Sequence, residues 1–388
     1  MAWKTGIALT ALAAMAFSAI PTAYAQEKET VKIAFIGPLT GGNSATGLGG
    51  RNSAQLAVNL RNADPATKYR YELTPLDDEC RPNVGIQVAT RAATDRSVIG
   101  GVTHYCSAVA IATVDVYHRF QLPVVVWGAI LPAITHGNDF AEVHRVNGSM
   151  LDESEVLVNF LSELGYKKWV VIHDTTDYGS GYLKILQEKL AGKDIEIQAT
   201  FGVGAEQQDF SAELLRVKEI NPQIVVFAGL TPLGVRIRSQ MDRLGVPSQF
   251  AGISGIMSVS YHEALGNLAE GTVSVHNGAP LESLPQGAMF VDEYTKARFA
   301  EPPEPYGPYA FVATDLIIDA VEEVGPDRKA VRDKLNATKD HASIAGPITF
   351  DEHGHNSVAS TKYVAQDGKW VRWEDSLYAK GERKLTGL

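Results

Sequence analysis

Cysteine is nearly absent from this chain, which contains Cys80 and Cys106 and no others in 388 residues. No Cys-x-x-Cys or His-x-x-x-His spacing occurs, so we predict no metal site and no cofactor. An excess of basic residues is also lacking, because the formal net charge is −10. Nucleic acids and anionic membrane surfaces favour basic patches, and neither is expected as a partner.

Long apolar runs are missing except at the N-terminus, which reads MAWKTGIALTALAAMAFSAIPTAYA. There Lys4 precedes an apolar stretch and the small-x-small motif AYA, a pattern typical of a secretory signal peptide cleaved after Ala25. A membrane anchor is the alternative, but Ser18 and Pro21 interrupt the run before it reaches the ~20 residues that span a bilayer. We therefore expect an exported chain.

The expected oxidising compartment and the length of the mature chain both limit the possible architecture. In an oxidising compartment an isolated cysteine pair forms a disulfide more often than a metal site, and free thiols are the alternative. A bridge between Cys80 and Cys106 would close a loop of roughly 27 residues, worth about 3.5 kcal/mol in the chain-entropy model. The mature chain of about 360 residues is too long for one core and suits two domains.

The chain alternates apolar runs with segments of helical spacing. The apolar runs of strand length are 31–37, 97–103, 122–129, 167–174, 222–230, 248–254 and 271–277. Near-continuous hydrophobic strands between amphipathic helices indicate an α/β fold with parallel sheets covered on both faces. The runs fall into two series, 31–145 and 147–275, and each is large enough for a doubly wound lobe.

The C-terminal tail has a different pattern. Residues 306–325 and 327–338 read as helices, and residues 362–374 read as a hairpin around Asp367 and Gly368. A tail that follows two complete sheets must pack back onto them, so we expect the chain to cross between lobes several times and to form a multi-strand hinge. The predicted N-terminal lobe is 26–145 plus 277–345, and the predicted C-terminal lobe is 146–276 plus 346–388.

Two turns after predicted strands are informative, because ligands of open α/β sheets bind beyond the carboxyl ends of the strands. The glycine-rich GPLTGGNSATGLGG lacks a Gly-Lys-Ser/Thr motif and the third glycine of a dinucleotide fingerprint, so we interpret it as a flexible lip over a cleft. THYCSAVA (103–110) reads as a strand-to-helix turn with Ser107 at the helix start. Free amides and the helix dipole there favour an anion, and plain helix capping is the alternative role for Ser107.

A nucleophilic role for Ser107 is not indicated by its surroundings. The turn has no Gly-x-Ser-x-Gly elbow, and His104 has no evident carboxylate partner in the sequence. The acidic run 77–79 is expected to be a solvated loop or to cap the next helix. A secreted hydrolase is kept as an alternative function.

The motifs in their order resemble a known family. VKIAFIGPLTG, DDEC, HYCSAV, WGAILP, HDTTDYGSG, DFSAELLRVKEINPQIVVFAG, LAEGT and PYGPYAF are similar to the periplasmic substrate-binding proteins of branched-chain amino-acid type ABC transporters. The resemblance covers nearly the whole mature chain. It implies a type I periplasmic binding protein fold, with two α/β lobes joined by three crossovers that close on a small ligand. It also implies a periplasmic location, an inner-membrane ABC permease as partner and no catalysis, and we expect a monomer.

The resemblance assigns roles to residues in the first lobe. Ser107 matches the family serine that holds the ligand carboxylate, and Gly128 and Ala129 match the turn whose backbone contacts the same group. Cys80 and Cys106 match the family disulfide.

Other matched positions face the ligand body. Tyr178 matches the tyrosine that reaches the ligand from the second lobe. An aromatic ring over the ligand is expected at Tyr309 or Phe311.

The departures from the family pattern concern the ligand's amino group. The family holds the α-ammonium with a threonine and a glutamate, and the corresponding positions here are Ile130 and Ser254. Leu230 and Thr231 stand where the family has a pair of tyrosines. Because an ammonium in a dry cleft needs acceptors or a counter-charge, we predict a ligand without an α-amino group, an aromatic or other hydrophobic carboxylate. The alternatives are a branched-chain or other hydrophobic amino acid, held by residues not identified in the sequence, and a sensory module that reports its ligand to a membrane receptor.

Overall fold

The computed structural model describes residues 1–3 and 28–388. The predicted signal peptide, with its cleavage site after Ala25, lies outside these residues except for residues 1–3. Within the described ranges, every helix is too short or too polar to span a bilayer.

The first lobe is built on a five-stranded parallel sheet with the order β2-β1-β3-β4-β5. Its strands are β1 (Thr30–Gly37), β2 (Arg70–Asp77), β3 (Val98–Thr103), β4 (Val124–Val126) and β5 (Val143–Arg145). Its helices are α1 (Ser44–Ala63), α2 (Pro82–Thr94), α3 (Ser107–Phe120), α4 (Ala133–His136), α10 (Gly287–Ala297), α11 (Gly307–Val324) and α12 (Arg328–Asn336). Strands β3 and β4 are buried along their whole length, as their continuous apolar sequence predicts for a sheet covered on both faces.

The second lobe is built on a seven-stranded sheet with the order β12-β11-β10-β9-β8-β6-β7. Its strands are β6 (Lys168–Asp174), β7 (Glu196–Val203), β8 (Ile224–Ala228), β9 (Gln249–Gly252), β10 (Val273–Asn277), β11 (Ser360–Gln366) and β12 (Lys369–Arg372). Its helices are α5 (Met150–Glu163), α6 (Asp177–Leu190), α7 (Ser211–Ile220), α8 (Thr231–Leu244) and α9 (Val259–Leu265). Strands β10, β11 and β12 pair antiparallel, so this sheet is mixed rather than wholly parallel.

The hairpin predicted around Asp367 and Gly368 is confirmed. Strands β11 and β12 pair antiparallel on either side of these two residues. Both have positive φ, 53° at Asp367 and 77° at Gly368, the conformation that a two-residue hairpin turn requires.

The chain passes between the lobes in three places among the described residues: between β5 and α5, after β10, and before β11. The third crossover comes later than the predicted boundary at residue 345. Ile348 exchanges two backbone hydrogen bonds with His341, and the Phe350 ring lies 4.8 Å from the ring of His144. Residues 346–355 therefore pack on the first lobe. The sequence does not show this, because no apolar run marks them and His355 pairs with Arg145, 210 positions earlier.

Candidate ligand-binding site

Both sheets reverse their strand order at one point, between β1 and β3 in the first sheet and between β6 and β8 in the second. The loops that follow these four strands meet between the lobes and line a cavity of about 330 Å³. Its lining includes Thr40, Cys106, Ser107 and Ala108 from the first lobe and Asp174, Tyr178, Leu230 and Arg236 from the second. Crevices at such switch points are where open α/β sheets bind small ligands.

Ser107 presents hydrogen-bond donors to this cavity. It is the first residue of α3, whose first amides have no partner within the helix. Its Oγ accepts hydrogen bonds from the amides of Ile130 (3.2 Å) and Leu131 (3.3 Å). Because a hydroxyl has two acceptor lone pairs and one proton, the Ser107 proton stays free to donate. With the amides of Ser107 and Ala108 and the positive end of the helix dipole, it can bind a carboxylate.

His104 has a carboxylate partner that the sequence analysis did not find. Its Nδ1 lies 2.8 Å from Asp78 Oδ2, and its Nε2 lies 2.6 Å from the Tyr117 hydroxyl and 3.0 Å from Thr113 Oγ1. Asp78 is fully buried, so the expectation of a solvated acidic run was wrong at this residue. Both ring nitrogens of His104 are engaged away from Ser107, and His104 therefore does not serve Ser107 as a general base.

The predicted disulfide is confirmed between Cys80 and Cys106, whose Cα atoms are 5.5 Å apart. Cys106 directly precedes α3, so the bridge fixes the turn that presents Ser107. On the other side, the Cys80 amide donates to Asp78 Oδ1 at 2.8 Å. Glu79 and Cys80 both have positive φ, which bends the chain back toward Cys106.

The turn at Gly128 and Ala129 precedes the two amides that donate to Ser107 Oγ. A Cβ added to Gly128 would lie 2.8 Å from the ring of Tyr105, so the close approach requires glycine. The Ala129 amide donates to the His104 carbonyl at 3.1 Å, and the backbone contact of this turn with the ligand carboxylate stays a prediction. Ile130 supplies its amide to Ser107, and its side chain packs in the second-lobe core.

The remaining predicted positions lie in three places. Tyr178 and Leu230 line the interlobe cavity. Tyr309 borders another cavity of about 400 Å³, and its hydroxyl donates to the Asn277 carbonyl at 3.0 Å. Phe311 lies in the first-lobe core with its ring edge-on to Phe290 at 5.5 Å, away from the residues of the second lobe.

Glu153 is a residue of the site that the sequence analysis missed. It lies in the first turn of α5, is fully buried, and accepts the Ser254 amide on Oε1 at 3.0 Å. Its Oε2 has no hydrogen-bond partner, and neither have the Tyr182 hydroxyl and the Ser254 hydroxyl. Burial raises the pKa of Glu153 from 4.5 to about 7. The sequence does contain one signal of its burial: Glu153 lies four residues before Leu157, on the apolar stripe of α5.

Tyrosines of both lobes surround this carboxyl. Tyr105 and Tyr306 belong to the first lobe and pack edge-to-face at 5.3 Å. Burial raises the pKa of the Tyr306 and Tyr178 hydroxyls well above their usual value, and the nearby Glu153 charge raises it further. A Cβ on Gly255 would lie 2.7 Å from the Tyr178 hydroxyl, which puts that hydroxyl next to Ser254. Glu153 therefore lies at the boundary between the lobes, beside the cavity.

Comparison with known sequences supports one family. Residues 30–369 match the family model described as "Periplasmic binding protein". Leu/Ile/Val-binding protein homolog 2 of Brucella abortus (strain 2308) is 28% identical over 384 residues, covering 96% of this chain and 97% of the relative.

Solved structures share the fold. A leucine-binding protein from Thermotoga maritima MSB8 superposes with a TM-score of 0.80 at 24% identity, covering 88% of this chain and 97% of that one. A solute-binding protein of an ABC transporter from R. palustris, in complex with benzoate, superposes with a TM-score of 0.81 at 17% identity, covering 88% and 95%. The match over residues 30–369 shows that the chain belongs to the periplasmic binding protein family, and its two-lobed architecture agrees with that assignment.

Proposed function

We propose that the protein captures a small organic carboxylate in its interlobe cleft and delivers it to an ABC permease of the inner membrane. The observation that carries the proposal is the arrangement at Ser107. The amides of Ser107 and Ala108 and a hydroxyl with a free proton converge on one cavity at a helix N-terminus. Charge-assisted hydrogen bonds from such donors favour an anionic group.

The second lobe also contributes a positive charge to the cavity, which favours a ligand with an anionic group. Arg236 on α8 lines the cavity, and its Nε has no hydrogen-bond partner. Closure of the lobes on a bound carboxylate would bring this cation and the Tyr178 ring toward the ligand. A ligand that contacts both lobes stabilises the closed state through those contacts, and the three crossovers would act as the hinge.

The first candidate ligand is an aromatic or other hydrophobic carboxylate without an α-amino group. Leu230 and Tyr178 present apolar surface to the cavity, while Ile130 and Ser254 carry no charge to pair with an ammonium. The R. palustris protein in complex with benzoate has the same fold.

The second candidate is a hydrophobic amino acid, and Glu153 is the observation that favours it. An unpaired buried carboxylate could supply the counter-charge that Ile130 and Ser254 lack. The Brucella relative bears the name of a Leu/Ile/Val-binding protein homolog.

The test of the carboxylate anchor is Ser107→Ala, measured by isothermal titration with a panel of four acids: leucine, 4-methylpentanoate, benzoate and 4-hydroxybenzoate. A hydrogen bond to a charged group is worth about 1.5–3 kcal/mol, so the best ligand should bind roughly 10- to 150-fold more weakly to the variant. Ser97→Ala is the control, because Ser97 is exposed and lies at the opposite end of β3. Equal affinity of wild type and Ser107→Ala would contradict the anchor, and binding of none of the four acids would contradict the proposed function.

A further inference from the structure

We propose that Glu153, together with Ser254 and Tyr182, forms a second polar subsite in the cleft, which binds a hydrogen-bond donor of the ligand and thereby sets specificity. The donor is an ammonium or a hydroxyl group. The inference rests on the proposed function, because the ligand's carboxylate is taken to be held at Ser107.

The carboxyl of Glu153 has unused binding capacity. Oε1 accepts the Ser254 amide at 3.0 Å, whereas Oε2 is buried without a partner. An ionised carboxylate only accepts hydrogen bonds, so a group that satisfies Oε2 must donate. Leaving a buried polar group unpaired costs free energy, and buried polar groups are therefore almost always hydrogen-bonded.

Two neutral hydroxyls flank the carboxyl and are also unsatisfied. The Tyr182 hydroxyl on α6 and the Ser254 hydroxyl lie beside the Glu153 carboxyl and lower its pKa against the effect of burial, but neither makes a hydrogen bond of good geometry, and both side chains are buried. Each can donate and accept, so the three side chains can surround a polar group from three segments of the second lobe. The other titratable groups that face the Glu153 carboxyl are Asp152 on α5, Tyr178 on α6, and Tyr105 and Tyr306 of the first lobe.

Helix capping does not account for Glu153. The capping box of α5 is formed by Ser149 and Asp152, and Asp152 Oδ2 also lies 3.7 Å from His355 Nε2. In the described part of the chain no Lys, Arg or His nitrogen lies within 4.0 Å of the Glu153 carboxyl. A ligand cation or hydroxyl would therefore find this acceptor uncommitted.

Electrostatics explains why the subsite would favour ligands that carry a hydrogen-bond donor. A second carboxylate near the ligand's own carboxylate is unfavourable in a dry cleft, unless a proton or a donor offsets it. A ligand ammonium would ionise Glu153 and pair with it, and a ligand hydroxyl would donate to it. A carboxylate without either group leaves Oε2 unpaired and should bind more weakly.

The experiment uses matched acids that differ only in the donor, titrated calorimetrically into wild type, Glu153→Gln and Glu153→Leu. One pair is leucine and 4-methylpentanoate, and the other is 4-hydroxybenzoate and benzoate. We expect the donor-bearing acid of at least one pair to bind wild type 10-fold or more tightly than its twin. The pair that shows the preference identifies the donor as ammonium or hydroxyl.

The variants should reduce that preference. Glu153→Gln should abolish it for an ammonium and weaken it several-fold for a hydroxyl, because the amide oxygen still accepts. Glu153→Leu should remove it for both. Glu155→Gln is the control, because Glu155 is exposed on the same helix and pairs with Lys189; it should behave as wild type.

Proton exchange is a readout that a purely structural role would not move. Titration at pH 7 in buffers of different ionisation enthalpy should show release of up to about half a proton on binding an ammonium ligand, because the bound cation ionises Glu153. Glu153→Gln should eliminate the exchange.

Two results would overturn the inference. One is equal or tighter binding of the donor-free acids in both pairs, and the other is a preference and proton exchange that persist in Glu153→Gln. If Ser107→Ala still weakens binding in either case, the carboxylate proposal stands although the donor subsite is wrong.

Discussion

Replacement of Glu153 by glutamine should stabilise the ligand-free protein at alkaline pH and leave its stability unchanged at acidic pH. The carboxyl is fully buried, and burial raises its pKa from 4.5 to about 7 in the folded protein. Because each tenfold change in proton affinity is worth about 1.4 kcal/mol, this rise corresponds to roughly 3 kcal/mol.

The sign follows from proton linkage. Below pH 4.5 Glu153 is protonated in both the folded and the unfolded chain, so its ionisation does not affect stability. As the pH rises toward 7 the unfolded chain releases the proton while the folded protein retains it, and the free energy of unfolding falls. Above pH 7 the loss of stability in wild type is complete. Glu153→Gln does not lose this stability, because glutamine does not ionise.

The assay is urea unfolding of wild type and Glu153→Gln between pH 4 and pH 9, without ligand. We expect the variant to be more stable by about 3 kcal/mol at pH 8.5 and equal within error at pH 4.5. Glu155→Gln should follow wild type across the range. A constant difference between wild type and Glu153→Gln at all pH values, or a variant that is less stable at pH 8.5, would refute the burial of an uncompensated carboxyl at this position.

Two further changes test the disulfide and the turn at Gly128. Cys80→Ser should lower the free energy of unfolding by about 3.5 kcal/mol, measured by urea unfolding, while the affinity of the folded protein changes little; a large loss of affinity at unchanged stability would contradict this. Gly128→Ala should weaken ligand binding at least several-fold in calorimetry, because its Cβ would lie 2.8 Å from the Tyr105 ring and displace the turn. Wild-type affinity of Gly128→Ala would show that the turn does not position Ser107.

Much of the fold can be predicted from local patterns. The apolar runs predict β1, β3, β4, β6, β8, β9 and β10, and the turn pair Asp367-Gly368 predicts the C-terminal hairpin. Strands β2 and β7 are missed because both lie at sheet edges. Strand β2 alternates exposed with buried residues for most of its length, and in β7 only Val203 is buried, so neither shows a continuous apolar run. The third crossover is missed because residues 346–355 pair with distant parts of the first lobe.

In the candidate site, too, contacts between distant residues could not be predicted from the sequence. Ser107 and Tyr178 can be found from the sequence, because each lies in a turn directly after an apolar strand, where α/β sheets bind ligands. The contacts that build the candidate site join residues far apart in the chain. Asp78 meets His104 across 26 positions, and Glu153 meets Ser254 across 101. Burial makes Asp78 a hydrogen-bond partner of His104 and leaves one oxygen of Glu153 without a partner. Burial depends on how the lobes pack, so no local sequence pattern reveals it.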